Sequence, residues 1–453
     1  MNESPAPENT WMDEQHPHEE GQPPRRAFGM AFFFLLLFTI FLYTRPQDMF
    51  PFLNQFRIPK IVAGLATLSF LLGFLSHPPR LHVKNLEARL MLVLLIFIFA
   101  SVPMSYWPGG SVSHIQDQVF KVYLIFFLII FVVNSPSRVQ WLLFVLLTSG
   151  AYIAVLSLME TGETISGRLI LSIRGMAGDP NDRALIFVFM FPLAVFSAMV
   201  ARSILFKIYY AGLGVFFAIE TLHTFSRGGL LGLVAVIGLF CFRMMRERKG
   251  IVVLVGLVVF VSIFFMPEQI VNRASSLVNR DLDTAGTIST RLQILQNGLD
   301  IMARRPIFGV GVGCFTIAEG AMHGGRGKWN AAHNTFLEIG AETGIFGLIT
   351  FVALIFVAFR NLQRIQRDFT EYEIHPEMVL LARGLEIALA GFCVSAFFLS
   401  QAYTWHIYYL MGLSGAMRRI AWRIESEEVP EDFWDYEEEE EVPEAGVTQP
   451  QGI

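Results

Sequence analysis

Long uncharged apolar runs separated by short polar stretches dominate the chain from residue 27 to residue 420. A helix needs about 20 apolar residues to cross a bilayer. Runs of that order fall at 27–44, 59–76, 89–105, 119–134, 139–159, 183–201, 204–223, 228–246, 250–267, 335–359, 379–400 and 403–420. The pattern predicts an all-α polytopic membrane protein with about twelve transmembrane helices. One polar interruption, residues 268–334, is far longer than the others, and loops of such length with patterning of their own are commonly functional. Within it Leu292, Ile294, Leu295, Leu299 and Ile301 recur at helical spacing, which predicts an amphipathic helix over 287–303 lying at the membrane interface.

The chain therefore divides into five parts. Residues 1–26 are polar and proline-bearing and are expected to be a disordered cytoplasmic N-terminus, and 27–267 hold helices one to nine. The long loop at 268–334 follows, then helices ten to twelve at 335–420, and then an acidic, disordered cytoplasmic tail at 421–453 with a glutamate run at 437–441. No small-residue cleavage site follows the first apolar run, so it reads as a retained span.

Composition strengthens the membrane reading: of 453 residues 53% are hydrophobic and only 16% charged, with a mean hydropathy of +0.50. A soluble domain of that size would lack the charge to cover its surface. The net charge of -5 is set by the tail. Without the tail the body is mildly basic, as suits contact with anionic lipid or phosphate. The positive charges also orient the chain. Alternate loops carry Arg138, Arg202 with Lys207, the group Arg243 to Lys249, the group Arg360 to Arg367, and Arg418 to Arg423. That side is expected to be cytoplasmic, with both termini inside and the long loop outside. Three scattered cysteines form neither a disulfide framework nor a metal-ligand spacing, and nothing calls for a metal, a cofactor or nucleic acid.

Three stretches on the non-cytoplasmic side bear chemistry. Thr224-Phe225-Ser226-Arg227-Gly228-Gly229 sits between two apolar runs, where a bland reading is an arginine snorkelling to headgroups. Its position on the less positive side, beside glycines that allow close approach, favours phosphate recognition by the planar guanidinium of Arg227. Ser289-Thr290-Arg291 opens the loop helix and Arg304-Arg305 closes it. The glycine-rich Pro306 to Gly313 stretch lacks the strand of a nucleotide-binding unit and reads as a tight turn. Ala332-His333-Asn334-Thr335-Phe336-Leu337-Glu338 runs into Glu342-Thr343-Gly344. A lone histidine at a helix start is more often structural. Its company of arginines and two carboxylates makes His333 a candidate base, with Glu338 and Glu342 orienting it or binding a sugar hydroxyl. His323 and Arg326 lie in a flexible stretch that could help hold an acidic substrate, and Tyr403, Trp405, His406, Tyr408 and Tyr409 read as an interfacial belt.

The ordered set Ser226-Arg227-Gly228-Gly229, Ser289-Thr290-Arg291, the Gly-Val-Gly turn and His333 to Gly344 resembles the bacterial O-antigen ligase/polymerase superfamily over about residues 170–360. Gly178-Asp179-Pro180-Asn181 is similar to a further family feature, and Tyr43 to Asp48 resembles ligase-like proteins found with exosortase systems. The resemblance implies a metal-independent, inverting glycosyltransferase of the bacterial inner membrane, with its active site on the periplasmic face. It would take a glycan from a polyprenyl (undecaprenyl) diphosphate carrier to a hydroxyl on a glycan, lipid or protein. Partners would be the bilayer, the lipid-linked donor, the acceptor and other polysaccharide-assembly proteins. Carried over, Arg227 and Arg291 grip the diphosphate and His333 acts as base. Asn181, Arg183, Arg304, Arg305, Arg326, Asn334, Glu338 and Glu342 are candidate substrate-binding residues. The competing class is a lipid-linked oligosaccharide flippase without catalysis. It should bury its ionisable groups within spans, whereas here they gather in one loop.

Overall fold

The computed structural model describes residues 28–76, 85–159, 164–165, 168–169, 171, 178–245, 249–250, 253, 287–325 and 329–428. The expected span at 250–267, the first part of the loop, Arg326, the N-terminal segment and the tail beyond residue 428 lie outside them. In chain order the helices are α1 (Gly29–Thr44), α2 (Pro46–Met49), α3 (Ile58–Ser76), α4 (Leu86–Ser101), α5 (Pro108–His114), α6 (Phe120–Val132), α7 (Pro136–Met159), α8 (Pro180–Val200), α9 (Ile204–His223) and α10 (Arg227–Met244). The loop supplies α11 (Thr287–Arg304) and α12 (Phe315–Met322), and the chain then forms α13 (Thr335–Glu371), α14 (Pro376–Ala396) and α15 (Trp405–Glu428). A two-residue antiparallel ladder, Thr164–Ile165 with Arg168–Leu169, is the sole strand pairing among the described residues.

Among the described residues eight helices, one of them the continuous Pro108–Val132 that holds α5 and α6, are long and apolar enough to cross a membrane, and α1 is a shorter apolar helix, so the chain is a helical polytopic membrane protein. α3 shows how sequence maps to surroundings: Leu65, Leu68, Leu71, Leu72 and Leu75 are exposed and only Val62 and Ala66 are buried, as for a helix facing lipid. α15 is the reverse. Trp405, Ile407, Tyr408, Tyr409, Leu410, Met411, Leu413, Ala416 and Met417 are all buried, so it is packed on every side by α6, α13 and α14. This corrects the aromatic belt expected at 403–409. Tyr43 Oη and His406 Nδ1 lie 2.9 Å apart and Tyr408 donates to the Ala402 carbonyl at 2.8 Å, whereas Tyr403 Oη, Trp405 Nε1 and His406 Nε2 are buried without a hydrogen-bond partner among the described residues, so the cluster lies inside the bundle rather than at a water interface.

Two other elements differ from the pattern-based reading. The apolar run at 335–359 becomes a 37-residue element broken at Gly344, whose φ of 79° and ψ of -178° belong to glycine. The final helix continues past residue 420 to Glu428, where Arg418 donates to Glu425 at 2.7 Å and Arg423 to the Asn134 carbonyl at 2.7 Å. Those bonds, with Arg243 to Glu386 at 2.7 Å and Gln363 and Gln366 to the same carboxylate at 2.9 Å, tie the end of the bundle opposite the loop. The loop helix α11 sinks its Ile294 and Ile301 into a small core with Phe315, Ala318, Leu337 and Ala341, while its Leu292 and Leu299 stay exposed. Gly298 makes that approach possible, since a Cβ there would stand 2.5 Å from Leu337 Cδ2.

Candidate functional site

Three helices begin at one end of the bundle, each with a polar cap. Asp179 caps α8, accepting from the amides of Asn181 at 2.7 Å and Asp182 at 3.4 Å, with Pro180 at the first helical position. Ser226 caps α10 through the Gly229 amide at 3.2 Å, and Asn334 caps α13 through Phe336 at 2.9 Å and Leu337 at 3.0 Å. A helix start carries partial positive charge and forward-pointing amides, so three of them together favour an anion.

Side chains cross-link these starts. The Ser226 hydroxyl donates to Asn181 Oδ1 at 2.9 Å, pinning α10 to α8. Gln401 Nε2 donates to Asp182 Oδ1 at 2.7 Å while the Gln401 amide donates to Thr335 Oγ1 at 3.0 Å, joining α8 to α13. The His333 amide donates to Ser400 Oγ at 2.9 Å, and the Ala402 amide to Glu338 Oε2 at 3.1 Å. Three consecutive residues, 400 to 402, thus reach His333, Asp182 and Glu338 in turn.

Arg227 is the first helical residue of α10, directly after the Ser226 cap. Its glycines serve packing: a Cβ on Gly229 would lie 2.5 Å from Ala184 Cβ, and one on Gly228 3.1 Å from Phe398 Cβ. Arg183 lies in the first turn of α8 and is only 2% exposed. Arg291 projects from the first turns of α11. It and His333 come from opposite ends of the loop, yet the Arg291 charge bears on the His333 ring. Partial desolvation first, and the Arg291 guanidinium second, hold that imidazole below its ordinary pKa, with the Asp179 carboxylate opposing them. His333 is therefore neutral near pH 7 and able to accept a proton. Its backbone has a φ of 46°, outside the usual range for a side-chain-bearing residue.

Glu342 is buried, and both its oxygens are taken by the loop: Oε2 accepts from the Gly313 amide at 2.8 Å and Oε1 from the Phe315 amide at 2.9 Å. Backbone bonds from Val310 to the Ala341 carbonyl at 2.9 Å, Gly311 to the Glu342 carbonyl at 3.1 Å and Ile345 to the Pro306 carbonyl at 2.8 Å lie alongside. The glycine-rich turn thus plugs the break in α13, and Glu342 is a clamp between loop and bundle. Of the remaining expected residues, Arg304 pairs with Asp300 at 2.9 Å and is largely exposed, and the Arg305 guanidinium lies 5.8 Å over the Tyr106 ring. The structure does not draw Arg304 or Arg305 into the cap network. His323 Nε2 faces Glu319 Oε1 at 3.2 Å, in a node where Asn297 and Asn330 also donate to that carboxylate. The node ties α11, α12 and the approach to α13 together.

Sequence reasoning singled out neither Asp182, Ser400 nor Gln401. Asp-Pro before an apolar run is a helix-start signature and could have marked Asp179 as a cap. Ser400 and Gln401 carry no motif, and their roles exist only through contacts 66 residues and more away in the chain. Among the described residues no group of three or more His, Cys, Asp or Glu is placed to hold a metal ion.

Residues 212–352 match the family model described as O-antigen ligase. The matched stretch begins inside α9 and ends inside α13, so it contains Arg227, Arg291, His333, Glu338 and Glu342 but not Asn181, Asp182, Arg183 or Gln401. No curated protein matches the chain.

Proposed function

We propose, from the match of residues 212–352 to the O-antigen ligase family, that this chain belongs to the O-antigen ligase/polymerase superfamily and is a transferase of lipid-linked glycan. The donor is a glycan on a polyprenyl diphosphate, of which undecaprenyl is the usual bacterial form, and the acceptor is a hydroxyl of a glycan, lipid or protein. The observation that supports this reading is the Arg291 charge bearing on His333 at an end of the bundle where the capped starts of α8, α10 and α13 are cross-linked, with Arg227 the first residue of α10. By the positive-charge distribution that end is periplasmic and both termini are cytoplasmic, in the inner membrane.

The reaction is a single displacement. The acceptor oxygen attacks the anomeric carbon and forms the new C–O bond as the bond to the diphosphate oxygen breaks, inverting that centre. The acceptor proton passes to His333, and the electron pair leaves on polyprenyl diphosphate. Arg227 and Arg291 hold that leaving group and stabilise its growing charge, a role that needs no divalent cation. Buried Arg183 and the start of α8 add to the field, and Asn181 fixes Ser226 beside Arg227. Glu342 and Asn334 set the loop and the α13 start that position His333. Arg304, Arg305 and Arg326 would meet donor glycan or headgroups at the loop rim.

The test is transfer of labelled glycan from a polyprenyl-diphosphate donor by purified protein in nanodiscs containing EDTA. Transfer is expected in EDTA, and its loss in folded Arg291→Ala and His333→Ala. Strict Mg²⁺ dependence, or full activity in both variants, would overturn the assignment. In a deletion strain, single lipid-linked repeats mark a polymerase and long lipid-linked chains a ligase.

A further inference from the structure

A site built to hold a diphosphate gains nothing from carboxylates, yet two stand beside His333. Asp182 in the first turn of α8 and Glu338 in the first turn of α13 are both half-buried. Each has one oxygen tied to the 400–402 segment: Asp182 Oδ1 by Gln401 Nε2 at 2.7 Å and Glu338 Oε2 by the Ala402 amide at 3.1 Å. The second oxygen of each has no protein partner among the described residues. Between them lies Gln401, 1% exposed, whose Oε1 is buried and accepts no hydrogen bond. A buried acceptor left unmade costs about 1–3 kcal/mol, so such an atom calls for a donor from outside the protein. Anchoring the 400–402 segment uses one oxygen of each carboxyl group, which leaves the other available to a ligand.

We propose that Asp182, Gln401 and Glu338 form the acceptor-sugar subsite, in which two carboxylate oxygens and one amide oxygen accept hydrogen bonds from the hydroxyls of a polyhydroxylated acceptor glycan. The arginines take the diphosphate, the carboxyl and amide oxygens take the hydroxyl donors of a neutral polyol, and His333, linked to Ser400, stands next to the segment that carries Gln401. Asp182 and Gln401 fall outside, and Glu338 inside, the residues matched to the O-antigen ligase family. The assignment of the polyol as acceptor rests on the transferase reading above.

The experiment measures binding separately from transfer. Wild-type protein in nanodiscs is mixed with lipid-free glycan released by mild acid from the producing cell's surface polysaccharide, which lacks the diphosphate, and saturation-transfer NMR reports contact with sugar protons. Saturation is expected for the wild type and for Arg291→Ala, and at least tenfold weaker for Asp182→Asn and for Glu338→Gln. Two variants are used so that one misfolded protein does not decide the outcome, and melting temperature checks both. In the transfer assay each isosteric variant is expected to raise the acceptor KM about tenfold while the donor KM stays level, because an accepting oxygen has been exchanged for an amide nitrogen. A purely structural role would move neither KM or both together. Absence of saturation in the wild type, or equal saturation in both variants, overturns the subsite. Saturation without any transfer instead sinks the transferase reading and leaves a glycan-binding site.

Discussion

Replacing Gly344 by alanine probes how the loop is held against the bundle. A Cβ at this position would lie 2.1 Å from the Ile307 carbonyl oxygen and 2.5 Å from its carbon. Ordinary contact requires more than 3 Å, so the turn must retreat from α13 by about 1 Å. The bonds that seat the turn run from 2.8 Å to 3.1 Å and would stretch past useful length together. Loss of up to three of them, at about 0.5–1.5 kcal/mol each, adds to about 1–3 kcal/mol of backbone strain at a φ of 79°. The sum is about 3–6 kcal/mol against the seated loop. Such a displacement moves Arg291 relative to His333, and about 1 Å of misplacement can cost 100-fold in rate. The assay is kcat/KM for glycan transfer with melting temperature in nanodiscs, using Gly64→Ala as control because a Cβ there meets nothing within 4 Å. Gly344→Ala should lose about 100-fold in transfer and Gly64→Ala should keep wild-type rates. A Gly344→Ala protein with wild-type melting and transfer would refute the claim that this break seats the loop.

Other expectations follow from single contacts. Ser226→Ala removes both the α10 cap and the bond to Asn181, so about 2 kcal/mol of local stability and at least tenfold in donor kcat/KM should go, while Ser226→Thr keeps both; equal kinetics for the alanine and wild-type proteins would count against pinning of Arg227. The pH–rate profile should fall on the acid side, below the ordinary histidine value, as His333 protonates; Arg291→Gln removes a repelling charge and should move that limb to higher pH, and Asp179→Asn to lower pH. Superimposable limbs in all three proteins would show that His333 is not the titrating base. The bonds on Glu319 from Asn330, His323 and Asn297 overcome its desolvation and hold the carboxyl below its usual pKa. A depressed acid stabilises above its unfolded pKa and ceases to as pH drops through the folded one. Amide exchange in α12, corrected for intrinsic rates, should therefore accelerate only below the ordinary glutamate range, and Glu319→Gln should show that faster exchange already at pH 7.

Much of the fold was readable along the chain because a bilayer makes hydrophobicity a nearly sufficient code for helix placement. Wherever the structure describes an expected span, a helix stands there, and the loop helix begins at Thr287 as its spacing implied. The same code is silent on which apolar face meets lipid and which meets protein. It therefore placed the 403–409 aromatics in a belt, though α15 is enclosed on all sides. Nor does it divide the apolar residues of α11, where Ile294 and Ile301 pack on Leu337 and Ala341 while Leu292 and Leu299 stay exposed. Both choices depend on neighbours that periodicity does not name.

The site divides in the same way. Sequence alone picked out the reagents proposed above: Arg227, Arg291 and His333 are polar residues at apolar boundaries, where a charge is costly enough to stand out. It did not determine their assembly. Ser226 meets Asn181 from 45 residues away, and Gln401 meets Asp182 from 219. Only tertiary packing of α8, α10 and α13 brings those caps to one place. Tertiary structure also separated residues alike in sequence: Glu338 keeps an oxygen toward the site, whereas Glu342, one turn deeper, spends both on the loop's backbone amides. Burial and hydrogen-bond geometry made that distinction, and neither is a property of residue type or spacing.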